Sequence, residues 1–328
     1  MKAQKLRKGD KVCVIAPARS MGLISDEVKR IALDNLKKLG LDVVFSEHCY
    51  ETDDNFSSSV QSRVSDLHAA FADSSIKGIF TVIGGFNSNQ LLSYIDYKLI
   101  KKNPKIVSGF SDITALSNAI YTKTGLITYY GPHFSSLGMK KGLEYTIEYL
   151  KKCLMSEEDY VVKPSEFWSD EAWFMDQENR HFFPNEGPWV INPGEASGTL
   201  IGGNLCTFNL LQGTSFMPDL KNTILMLEDD NLAGDYSLVE FDRNLQSLIQ
   251  CKNFSKVKGL IIGRFQKDSK VVKEQFIKMI KNKKELSSIP VIANMDFGHT
   301  TPIACLPVGA KAVLCTENGA AVLKIVKH

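Results

Sequence analysis

Residues 106–125 read IVSGFSDITALSNAIYTKTG. An apolar run, Ile106 to Gly109, gives way at Phe110-Ser111-Asp112 to an apolar period of Ile113, Leu116 and Ile120 that stops at Gly125. This predicts a short buried strand turning sharply into a helix, with Ser111 at the corner. Two roles are open to that serine. Ser and Asp are favoured helix caps, so Ser111 taken alone reads as a cap. A hydroxyl at such a corner is also displayed at the carboxyl end of a sheet, where α/β folds bind their ligands. The stretch departs from the G-x-S-x-G elbow of hydrolases, because Ile113 stands where the second glycine falls.

Outward from the corner the same alternation repeats. KVCVIAPA (11–18), LDVVFSE (41–47), KGIFTVIGG (77–85), KIVSGF (105–110) and GLITYYGPH (125–133) read as strands. Helical periods separate them: one of Val28, Ala32 and Leu36, capped by Ser25 and stopped by Gly40, one of Val60, Val64, Leu67 and Phe71, and one carrying Leu91 and Leu92. Strands alternating with helices of this length indicate a parallel sheet covered on both faces. A helix carrying Ile147, Leu150 and Leu154 closes this N-terminal α/β domain near residue 160.

Residues 161–197 show neither period and hold all three tryptophans, Trp168, Trp173 and Trp189. They read as a structured loop that lines a binding site or pins a domain junction. From 198 to 328, strands at GTLIGG, NTILMLED, VKGLIIGRF and IPVIANMDFGH precede a hairpin expected to turn at Glu317-Asn318-Gly319. The fold class is therefore α/β, a parallel-sheet N-terminal domain plus a smaller, β-rich C-terminal α/β domain.

Composition narrows the function. A chain of 328 residues exceeds the usual single core. With 44% hydrophobic and 23% charged residues it is not disordered. A net charge of +2 without a run of one sign points to neither a nucleic acid polymer nor an anionic membrane. No apolar run reaches transmembrane length, and the basic start precedes too short an apolar stretch for a secretory signal. Seven cysteines without a C-x-x-C pair suit reduced thiols in the cytoplasm better than a disulfide framework or a zinc site.

For chemistry, the free N–H of Asp112 opens the corner helix, and Gly85 can bring a second N–H to the same point, which together suit an oxyanion. A serine nucleophile needs a base and a group to orient it. His299, in NMDFGHTTP, follows an apolar strand; His133, after YYGP, competes with it. Glu228 ends the strand TILMLEDD, where its acidic neighbours alternatively suit a divalent cation or a solvated strand end. Groups at three strand ends support a hydrolytic triad in the chain order Ser, Glu, His.

Together, GDKVCVIAPA, VIGGFNSNQLLSYIDYKLI, SGFSDITALSNAIYTKTGLITYYGP, GTLIGGNL, LMLEDD and NMDFGHTTP resemble the LD-carboxypeptidase family of serine peptidases, and within it the microcin C immunity branch. The resemblance implies Ser111 as nucleophile, Glu228 as orienting carboxylate, His299 as base, and the Gly85 and Asp112 amides as oxyanion hole. It implies a homodimer that needs no metal or organic cofactor. The substrate is then a small peptide, such as a cytoplasmic muropeptide, or an aminoacyl-nucleotide. Asn87, in the Asn-Ser-Asn stretch, and the Trp-rich insertion look like the second branch, with Trp189 and then Trp173 expected to stack on a nucleobase. A non-enzymatic protein closing on a small ligand between two domains is the alternative of another class.

Overall fold

The computed structural model describes residues 1–317 and 320–328. The chain begins with β1 (Lys11–Ile15), α1 (Asp26–Lys38), β2 (Asp42–Phe45), α2 (Val60–Ala72), β3 (Ile76–Thr81), α3 (Tyr97–Lys102), β4 (Ile106–Gly109), α4 (Ile113–Thr124), β5 (Thr128–Tyr130) and α5 (Glu144–Leu154). β1, β3 and β4 are buried almost throughout, as strands covered on both faces must be. Ser25 caps α1 by accepting from the Val28 amide at 3.3 Å, as expected. The expected helix at Leu91 and Leu92 is a single 3₁₀ turn, Ser88–Leu91, because the preceding loop is committed to the corner helix instead.

Next come β6 (Tyr160–Val162), β7 (Phe167–Trp168), β8 (Phe183–Pro184) and β9 (Trp189–Asn192). The Trp-rich segment is thus partly regular: β7 and β8 pair as a small ribbon, and β9 adds a sheet edge. The remainder is β10 (Glu195–Asn204), α6 (Leu205–Asn209), β11 (Thr223–Glu228), α7 (Ser237–Ile249), β12 (Gly259–Gly263), α8 (Lys273–Lys281), β13 (Val291–Met295), β14 (Leu306–Val308), β15 (Lys311–Glu317) and β16 (Ala320–Val326). β15 and β16 pair antiparallel as the expected hairpin; the turn residues Asn318 and Gly319 lie outside the described residues.

Two sheets organise these strands, in the orders β14-β5-β4-β3-β1-β2 and β6-β16-β15-β10-β11-β12-β13-β9. They are not cleanly divided along the chain. β14, from the C-terminal half, joins the first sheet against β5, while β6 joins the second against β16. Glu228 ends β11, His299 lies four residues past β13, and Ser111 lies two past β4, so the carboxyl ends of both sheets converge.

Candidate active site

At the corner, Ser111 has φ of 58°, a left-handed conformation unusual for a residue with a side chain. Such strain costs about 1–3 kcal/mol and persists only where the surroundings hold it. Asp112 occupies the N-cap position of α4 and its side chain makes no capping bond. Ser111 does not cap either: its Oγ lies 3.0 Å from Nε2 of His299. The expected double role is reduced to one, because the turn swings the hydroxyl away from the helix.

Behind His299, Nδ1 meets Oε2 of Glu228 at 2.7 Å. The other Glu228 oxygen accepts from the Tyr130 hydroxyl at 2.5 Å. That tyrosine oxygen also accepts the Ser111 amide at 3.3 Å, so one phenol ties the carboxylate to the corner. Glu228 is buried, and burial pushes its pKa up; the charge of His299 and bonds from His299 and Tyr130 outweigh this and leave it below the ordinary value. For His299, burial works against the imidazolium, but Glu228, with Asp230 and Asp229, prevails and raises the pKa to about 9. Asp229, whose carboxylate accepts from the Asn204 side chain at 3.1 Å, is pushed up to about 7 by burial and its acidic neighbours.

Gly298 makes this pairing possible. It has φ of +102°, and a Cβ there would stand 2.5 Å from Oε2 of Glu228. Gly298→Ala is expected to displace the carboxylate from His299 and lower turnover at least tenfold. Steady-state assay of the folded variant checks this; wild-type turnover would show that the loop absorbs a methyl group.

The two expected oxyanion donors are clamped together. The Asp112 carboxylate accepts the amides of Asn87 at 3.1 Å and Ser88 at 2.9 Å, and the Ser88 hydroxyl donates to the Asp112 carbonyl at 2.7 Å. The loop carrying Gly85 is thereby fixed to the residue that follows Ser111. Asn87 is occupied in this clamp: its carbonyl and side-chain oxygens each accept from Arg63 Nη1 at 3.1 Å. Its side-chain oxygen is thus held by Arg63.

His133 is 2% exposed, with Nδ1 2.7 Å from the Thr81 hydroxyl. Burial, with help from the charges of His299 and Arg19, pushes its pKa down to about 3. Its ring lies on Phe110 with centroids 4.3 Å apart, and among the described residues it makes no hydrogen bond to Ser111. Geometry thus selects His299 over its competitor.

The tryptophans separate. Trp189 pairs with Ala293 on β13, donates its indole N–H to Glu186 at 2.8 Å and lies against Phe276 and Lys273. Those contacts engage it on the edge strand of the second sheet. Trp173 is half-buried next to Phe174. The loop reaches the candidate base at its root, where Ser169 and Thr301 exchange backbone bonds of 2.8 and 2.7 Å. Tyr130, Asn204 and Ser169 escaped the sequence reading. Asn204 sits in register with Glu228, a clue available only once the β10–β11 pairing is known.

Among the described residues no group of three or more His, Cys, Asp and Glu side chains is placed to hold a metal ion. Cys13, Cys49, Cys153, Cys206, Cys251 and Cys305 form no disulfide.

The fold and two domain matches define a peptidase. The LD-carboxypeptidase N-terminal domain model matches residues 12–131 and the C-terminal domain model residues 197–314, and the chain belongs to the LD-carboxypeptidase family. YocD of Bacillus subtilis, which bears a carboxypeptidase name, is 54% identical over 328 residues, covering 100% of both chains. The microcin C7 self-immunity protein MccF of Escherichia coli is 32% identical, over 86% of this chain and 84% of that protein. A Bacillus subtilis protein named for murein peptide carboxypeptidase activity is 29% identical, over 98% and 94%. Among solved structures, an MccF-like protein from Bacillus anthracis has a TM-score of 0.99 at 53% identity, covering 100% of each chain. MccF in complex with aspartyl sulfamoyl adenosine has a TM-score of 0.88 at 29% identity, over 99% and 98%. No described helix is long and apolar enough to cross a membrane.

Proposed function

We propose that this chain is a serine-type peptidase or amidase that cleaves the amide of aminoacyl-nucleotides of the processed microcin C kind. The observation that carries the reading is the unbroken chain from Ser111 through His299 to Glu228, with Ser111 in a left-handed corner. His299 Nε2 takes the hydroxyl proton as Oγ attacks the scissile carbonyl. The N–H groups of Gly85 and Asp112 stabilise the negative charge that develops on the carbonyl oxygen. The imidazolium, held by Glu228, then gives its proton to the leaving nitrogen. Water repeats the sequence on the acyl-enzyme and releases the acid.

The nucleotide substrate is supported by relatives that carry the MccF name and by the aminoacyl-sulfamoyl ligand of one of them. The second reading is removal of a terminal D-residue from muropeptides, supported by the relative named for that activity. A cytoplasmic homodimer, 1–160 and 198–328 as its two domains and 161–197 as its substrate loop complete the proposal. Incubating the protein with an LD-linked tetrapeptide and with aspartyl sulfamoyl adenosine, and following both products, separates the readings. Labelling of Ser111 by a serine-directed phosphonate separates either from a ligand-binding protein.

With Trp189 engaged on Phe276 and Lys273, Trp173 is the better stacking candidate. Trp173→Ala is expected to weaken hydrolysis of the sulfamoyl adenosine by about 1–3 kcal/mol, mainly in KM, and to spare the LD-peptide, which has no flat ring. A parallel loss on both substrates would make the loop a brace and favour the muropeptide reading.

A further inference from the structure

The oxyanion loop carries a cation that the steps above do not use. Arg19 lies across three consecutive residues of that loop. Its Nε donates to the Gly84 carbonyl at 3.2 Å, and its guanidinium lies over the ring of Phe86, 5.7 Å from the centroid. Its stem passes Gly85 so closely that a Cβ there would be 3.1 Å from Arg19 Cγ, which accounts for the glycine. The Arg19 backbone is fixed as well, by a bridge to Ser57. Yet among the described residues Arg19 forms no ion pair, and its outer nitrogens make no hydrogen bond.

Phe86, 69% exposed, gives that cation an apolar floor, and the carboxylate that acts on it through space, Asp112, accepts the Asn87 and Ser88 amides rather than forming an ion pair with it. Gly84 connects the arginine to the nucleophile: a Cβ at Gly84 would be 3.0 Å from Ser111 Oγ. A held, half-buried guanidinium outside any salt bridge matches an oxygen-rich anionic group that can accept from it, a planar carboxylate or a tetrahedral sulfonyl.

Both substrate classes of the proposed function offer such a group at the same place. In a peptide that loses its last residue, the terminal carboxylate follows the scissile nitrogen after a single carbon. In an aminoacyl-sulfamoyl nucleotide the sulfonyl group is bonded to that nitrogen directly. We propose that Arg19 binds this oxygen-rich group just past the scissile nitrogen, and thereby restricts cleavage to substrates that carry it. The inference rests on the peptidase or amidase reading and adds to it the group by which a substrate is selected. Neither source needs its own pocket.

The test uses two matched pairs: an LD-linked tetrapeptide ending in a free carboxylate and the same peptide ending in a carboxamide; aspartyl sulfamoyl adenosine and the aspartyl amide of 5′-amino-5′-deoxyadenosine, which lacks the sulfonyl. Wild-type protein is expected to favour the oxygen-bearing member of whichever pair it cleaves by roughly tenfold to hundredfold in kcat/KM, the range of one charge-assisted bond. Arg19→Gln is expected to remove most of that preference, and Arg19→Lys to keep part of it. Equal wild-type rates within the cleaved pair overturn the proposal even if no variant folds. So does an Arg19→Gln protein that loses activity on both members in parallel, since that is the behaviour of a loop brace. Cleavage of none of the four compounds by wild type overturns the peptidase reading itself, and this inference with it.

Discussion

Ser111→Ala is expected to lower turnover by roughly 10⁴- to 10⁶-fold, the scale of losing the nucleophile from a group that acts as a unit. Stability should hardly change. The hydroxyl makes no capping bond, and alanine meets the same left-handed strain at φ 58° as serine does. What folding loses is one hydrogen bond to His299, about 0.5–1.5 kcal/mol. Assay of the purified variant beside its thermal unfolding curve separates the two quantities. A tenth of wild-type turnover would be enough to remove Ser111 from the nucleophile's role. A collapse of stability with turnover would make the corner structural.

Glu228→Gln is expected to reduce the plateau rate by roughly 10²- to 10⁴-fold and to move the acidic limb of the rate profile. As general base His299 works only when neutral, so kcat/KM rises with pH through its pKa. Glu228 favours the imidazolium and holds that pKa at about 9; without the charge it falls toward the ordinary 6.5. The limb therefore moves to lower pH as the plateau drops. The drop has a structural cause. Two carboxylate oxygens serve two donors, Tyr130 at 2.5 Å and His299 at 2.7 Å, and glutamine offers one oxygen for both. Rate profiles of both proteins from pH 5 to 10 test this, and a limb that does not move would detach Glu228 from His299.

Legibility followed position in the chain. Ser111, Glu228 and His299 each stand just after an apolar run, and the structure gathers all three, because parallel strands end on one side of their sheet. Tyr130 stayed hidden because it sits within such a run, where a tyrosine reads as core. The carboxylate of Asp112 reaches a loop some two dozen residues earlier, and no local period records a contact of that range. Trp189 looked available because its segment is polar and aperiodic; pairing with β13 made it an edge strand, with its ring against Phe276 and Lys273. β14 was missed for a different reason: three residues including Pro307 are too few to show alternation, and proline is tolerated there because the strand lies at the sheet's edge.

That small strand bears on how the protein moves. The loop carrying His299 returns to the sheet that presents Ser111 at Leu306, only seven residues on (306 − 299). In the other direction, β6 stitches the end of the first half to β16. A clamshell needs two bodies joined by a few slack crossings, and here each body holds a strand of the other. Opening the crevice by rotating one half would pull ladder bonds apart at β14 and β6. Substrate entry is therefore expected to depend on side chains and the 161–197 segment, with the Ser111–His299 pair held at its 3.0 Å spacing by the strands on either side. A receptor that reports its ligand by closing is poorly served by such lacing; a catalyst that needs its groups aligned before the substrate arrives is well served by it.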